Sequence, residues 1–197
     1  MSANRILLVI DCQKIYSLDE SETKVEGVEK SLANINEIIK SFNEKGLPIV
    51  YVRHIHKADG SDAGKMFSFT GTEEEVGFVE NTEEVEYMDN LLIVDNPTEI
   101  IKQRYSAFVG TSLSSIIQEK NIDTVVIVGY MTNFCCESTA RDAHDRDLYV
   151  DFILDATGTP DLENLTQEEI KNATAETLAS GYANIYQANE YLDNYVK

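Results

Sequence analysis

Short apolar runs alternate with helix-periodic stretches along almost the whole chain, and this alternation constrains the fold more than any other feature. RILLVID (5–11), LPIVYVR (47–53), TEIIKQR (98–104), DTVVIVG (123–129) and LYVDFILDA (148–156) read as strands, and YANIYQ (182–187) as a last one. Between them lie helical patterns. VEGVEKSLANINEIIKSFNEKG (25–46) sets Val28, Leu32, Ile35, Ile38, Ile39 and Phe42 on one face, and Gly46 and Pro48 stop it. Residues 110–121, 132–147 and 165–181 are the other helices, the last opening on Thr166 and Glu169 at capping-box spacing, and 188–197 reads as a terminal helix. Strands apolar on both faces, alternating with helices, predict a parallel sheet covered on both sides. At 197 residues the chain suits one domain over 1–197.

Charge narrows the partners. Thirty-five acidic residues against 16 basic ones leave a formal charge of −19. Such a surface repels nucleic acid and anionic membrane, so neither is expected as a partner. No run approaches the roughly 20 apolar residues of a membrane span. Three cysteines without zinc or disulfide spacing suit a reducing compartment, and the expected location is the cytoplasm. Residues 72–90 hold many glutamates and no Lys or Arg. They read as a solvated acidic insertion or loop, with a lid or oligomer contact over the active site as the sharper alternative.

Ligands of an open parallel sheet bind beyond the carboxyl ends of its strands. Those ends carry Asp11, then Cys12 and Gln13; Arg53, then His54 and His56; Lys102 and Arg104; and GYMTNFCCESTARDA (129–143). If Thr132 caps the helix there, Cys135 falls in its first turn, where the helix dipole favours a thiolate. Cys136 lies about 100° further round and shares a face with Ala140 and Ala143, a core face. Cys135 is therefore the reactive candidate. Asp11, His54 and His56 are all candidates for its base, and Lys102 would keep Asp11 ionised.

Three segments then bring a family into view. LLVIDCQKIY (7–16), KQRYSAFVGTSL (102–113) and VIVGYMTNFCCESTARDA (126–143) resemble, in order, the motifs of the isochorismatase-like cysteine hydrolases, a group including nicotinamidases, ureidoacrylate and carbamoylsarcosine amidohydrolases, and isochorismatases. The resemblance implies a three-layer α/β/α sandwich with a six-stranded, mostly parallel sheet. It implies Cys135 as nucleophile with Asp11 and Lys102, a cis peptide at Tyr130–Met131, and an oxyanion hole from the amides of Met131 and Cys135. It implies hydrolysis of the C–N bond of a small amide through a thioester, with no cofactor, in a homodimer or homotetramer. Gln13, Tyr16, His54, Tyr105, Tyr130 and Phe134 are expected around the substrate. Many nicotinamidases carry an Asp-x-His-Pro metal motif, but VRHIHKADGSDAG (52–64) lacks it and no metal is expected; the alternative is a metal on His54 and His56, which stand at i and i+2 and would share a strand face. A vinyl-ether hydrolase and a non-enzymatic binder on the same fold are the alternatives.

Overall fold

The computed structural model describes residues 4–72 and 75–196. Residues 73 and 74 of the expected acidic loop, residues 1–3 and residue 197 of the expected terminal helix lie outside the described residues. The strands are β1 (Arg5–Ile10), β2 (Ile49–His54), β3 (Thr98–Lys102), β4 (Thr124–Tyr130), β5 (Tyr149–Gly158) and β6 (Asn184–Tyr186). They form one sheet in the order β3-β2-β1-β4-β5-β6, and every pairing is parallel. The expected "mostly parallel" sheet is thus wholly parallel.

The helices are α1 (Val28–Glu44), α2 (Leu113–Glu119), α3 (Glu137–His144), α4 (Gln167–Ala179) and α5 (Ala188–Tyr191). The apolar face of α1 packs with Leu7, Val9, Tyr51, Val126 and Val128 on one side of the sheet. Leu113 and Ile117 of α2, Ala140 and Ala143 of α3 and Leu178 of α4 pack with Ile6, Leu8, Ile10, Val125 and Ile127 on the other. Alternate residues of β1 and β4 thus enter opposite cores, the period-2 consequence of strand geometry. Among the described residues, no helix is long and apolar enough to cross a membrane.

Helix ends follow local chemistry. Thr166 accepts the Glu169 N–H and the Glu169 carboxylate accepts the Thr166 N–H, so the expected capping box starts α4. The expected helix over 132–147 is divided: Thr132–Cys136 is a wide π-turn and only Glu137–His144 is α-helical. Thr132 is not its cap. Its hydroxyl donates instead to Thr157 Oγ1 on β5, 2.8 Å away.

Strand order places a switch point at β1 and β4, whose successors run to opposite edges of the sheet. The crevice beyond their carboxyl ends is where such sheets bind ligands. Gly129 lets β4 lie against β1 there. It pairs with Ile10 at φ 122°, and a Cβ at this position would collide with the Ile10 carbonyl oxygen. Gly129→Ala meets both a forbidden φ and immovable backbone. It is expected to lose more than about 4 kcal/mol of stability or fail to fold, as read by urea denaturation of the soluble fraction.

Candidate active site

Asp11 follows β1, Lys102 ends β3 and Cys135 lies in the π-turn after β4. Asp11 and Lys102 are fully buried and Cys135 is 3% exposed. Lys102 Nζ stands 2.8 Å from Asp11 Oδ2 and donates to Cys135 Sγ at 3.2 Å and to the Arg104 carbonyl at 3.0 Å. Its three protons therefore have three acceptors. β3 is an edge strand, where a lysine is ordinarily solvated; here residues 104–108 fold over it. Thr139 on α3 accepts the Ala107 N–H and donates to the Cys135 carbonyl, and Ser106 donates to Asp142 at 2.6 Å. These bonds tie the loop after β3 to the helix that carries the cysteine. Sequence reasoning missed Thr139, although its position four residues after Cys135, on the same helix face, was the available signal.

The electrostatics follow from burial. Removal from water raises the Asp11 carboxyl above the ordinary range, while the Lys102 charge pulls it back down. Lys102 is held charged, because its two acidic neighbours outweigh its own desolvation. Burial pushes the Cys135 thiol up to about 12, against the pull of Lys102 and with the Asp11 charge adding to the rise. The helix start was expected to lower this pKa. In the closed site desolvation wins, so the resting group is the thiol and it needs a base.

Asp11 lies within reach of it. Its backbone sits at φ 49°, in the left-handed region that Asp tolerates better than most residues. Among the described residues its Oδ1 has no N–H or O–H donor, and an Asp11 oxygen lies within 4.8 Å of Cys135 Sγ. A His54 ring nitrogen completes a cluster within the same 4.8 Å. Asp11, His54 and Cys135 would suit a metal by spacing alone. The Lys102 ammonium stands against two of the three, so this set already holds its cation and does not fit a metal.

The other expected residues divide. Tyr105 and Phe134 pair at 5.4 Å, with Tyr105 38% exposed. Met131 is half-buried, the Tyr130–Met131 peptide is cis, and the Cys136 N–H donates to the Met131 carbonyl at 3.1 Å. Gln13 is a backbone clamp: its amide donates to His54 O and Val85 O and accepts the His54 N–H. Tyr130 points into the α1 core, where its hydroxyl bonds Ser31 at 2.7 Å, and Tyr16 stacks on it at 5.4 Å. Gln13 and Tyr130, both expected around the substrate, thus use their polar groups within the protein. Arg53 pairs with Glu99 at 2.9 Å and is likewise committed.

The acidic stretch is not a free loop. Val85 and Met88 are buried, Tyr87 bridges Gln13, and Met88 N–H donates to the Cys12 carbonyl. Phe78 lies face to face with His54, 4.4 Å between ring centres, and adopts φ 57° to do so. The described part of the segment, residues 75–90, packs against the residues that follow β1 and end β2.

Replacing Lys102 by Met strands the Asp11 carboxylate in a dry site. Loss of one member of a buried pair costs roughly 3–5 kcal/mol at neutral pH. Without the lysine the Asp11 pKa rises further, so the folded variant prefers the protonated carboxyl. The deficit is therefore expected to grow as pH rises through that pKa and to shrink below it, as measured by Tm against pH.

The model of the Isochorismatase domain matches residues 5–181. Nicotinamidase 3 of Arabidopsis thaliana is 30% identical over 178 residues, which cover 90% of this chain and 81% of that protein. A second Arabidopsis thaliana relative, named as a probable inactive nicotinamidase, is also 30% identical, over 88% of this chain and 91% of its own length. The crystal structure of a cysteine hydrolase from Pseudomonas syringae pv. phaseolicola 1448A superimposes with a TM-score of 0.89 at 22% identity, covering 96% of this chain and 91% of the other. At that identity the likeness is one of fold.

Proposed function

Since the chain belongs to the isochorismatase family of hydrolases, we propose that it cleaves the C–N bond of a small amide, with Cys135 as nucleophile. The observation that carries this reading is the buried contact of Lys102 with both Asp11 and Cys135, at 2.8 and 3.2 Å. It joins a base, a charge and a nucleophile in a site from which water is excluded.

Asp11, its basicity increased by burial, takes the Cys135 proton. Lys102 stabilises the thiolate as it forms. The sulfur attacks the amide carbonyl, and the oxyanion rests on the main-chain N–H groups of Met131 and Cys135, which the Cys136-to-Met131 hydrogen bond holds within one wide turn. The C–N bond breaks as the leaving nitrogen takes the proton from Asp11. Water, deprotonated by Asp11, then attacks the thioester, releasing the carboxylic acid and restoring the thiol. Tyr105 and Phe134 line the entry, and the 75–90 segment excludes solvent from above.

Ammonia release across a panel of small primary amides and ureides, nicotinamide included, tests the reading. Cys135→Ala is expected to lose at least roughly a thousandfold in kcat on any substrate the wild type turns over. Full activity in that variant, or pyruvate release from a vinyl ether in place of ammonia, would overturn it.

The base must be ionised to act, and burial raises its pKa. The acid limb of kcat/KM is therefore expected above the ordinary Asp value of about 3.9, as an apparent constant of the coupled group. A pH–rate profile with its acid limb at or below that value would remove Asp11 from the role.

A further inference from the structure

His54 ends β2 fully buried, and its backbone is held at both polar atoms by Gln13. Its ring is fixed as firmly. One face lies on Phe78, and Nε2 meets His56 Nε2 at 2.9 Å. His56 in turn meets Asp62 through Nδ1 at 3.1 Å, and Asp62 also accepts the Lys57 N–H. This chain of contacts decides where the protons are. A carboxylate only accepts, so His56 Nδ1 carries hydrogen. Burial lowers the His56 pKa and keeps the ring neutral, so its Nε2 is bare. His54 must then donate through Nε2. Burial, with the Lys102 charge beside it, keeps His54 neutral too. Its Nδ1 is therefore left as a bare acceptor.

That atom is fully buried and has no hydrogen-bond partner among the described residues. A buried acceptor without a donor is unfavourable, and an N–H or O–H of a bound ligand would satisfy it. The ring borders the reacting groups, with one nitrogen within 4.8 Å of both Asp11 and Cys135.

We infer that His54 Nδ1 recognises the substrate, accepting an N–H or O–H that lies beside the carbonyl attacked by Cys135. The reading selects a class among amides. Ureides and other compounds with a donor next to the scissile carbonyl are favoured. Compounds that place a lone pair there, such as an ester-type oxygen or a pyridine-type nitrogen, are rejected, because two acceptors would then face each other in a dry site. His54 acts here as a specificity residue, and Asp62 and His56 set its tautomer. The inference rests on the amide-hydrolase reading for the position of the carbonyl, but not for the proton order along the histidines.

Two measurements test it. In Cys135→Ala protein labelled with nitrogen-15 at its histidines, three in all, long-range proton–nitrogen spectra are expected to show His54 protonated at Nε2 and bare at Nδ1. N-carbamoylglycine should move the Nδ1 signal, whereas O-carbamoylglycolate, with oxygen in place of the N–H, should not. In turnover, wild type should favour the N–H member of such pairs by roughly 10–100-fold more than His54→Leu does. His54→Asn, whose amide oxygen is able to stand near the Nδ1 position, should keep part of that preference. A protonated Nδ1, or a pair ratio unchanged in His54→Leu, would overturn the inference. If no amide releases ammonia while the tautomer and the Nδ1 response hold, the hydrolase reading fails and the acceptor assignment stands.

Discussion

The ion pair between Asp11 and Lys102 is the constraint around which the rest is arranged. Both groups are fully buried, and neither is tolerable there without the other. The pair also joins the centre of the sheet to its edge, because Asp11 follows the central β1 while Lys102 ends β3. An edge-strand lysine stays dry only if something covers it. The loop at 104–108 does so, and its Ala107–Thr139 and Ser106–Asp142 bonds attach that cover to the helix behind Cys135. A single electrostatic need thus aligns three strands, one loop and Cys135.

Backbone geometry around the pair is unusual in the places where chemistry is expected. Asp11 and Phe78 occupy the left-handed region, Gly129 makes an approach that no side chain would permit, and a π-turn stands where an α-helix would start. Such features persist only where the surroundings over-determine them. Here the surroundings are the β1–β4 pairing, the Thr132–Thr157 contact and the stacking of Phe78 on His54.

Enclosure changes the meaning of the cysteine. In an open helix start the dipole would favour a thiolate, but in this site desolvation dominates and the thiol persists until a base removes its proton. The same enclosure raises the basicity of Asp11 and leaves His54 neutral, so one physical cause sets the roles of three neighbouring groups. The acidic segment adds to it on the His54 side, held down by the buried side chains of Val85 and Met88 and by the Lys14 pair with Glu83.

The amino-acid sequence alone determined the strand and helix succession, the two-faced burial of β1 and β4, the α4 cap and the core placement of Cys136. These depend on period and on contacts a few residues apart, which a linear string carries. The acid, the lysine and the cysteine were nameable because each stands at a strand end and within a recognisable motif. Only the tertiary structure decided that Lys102 is buried, that Gln13 and Tyr130 serve the scaffold, that Thr132 reaches β5 and caps nothing, and that residues 75–90 pack against the residues that follow β1 and end β2. Each of those outcomes rests on partners tens of residues away: Gln13 on Val85, Thr132 on Thr157, His54 on Phe78, Lys102 on Asp11. Burial is a property of what covers a residue, and what covers it is set by the packing of distant segments.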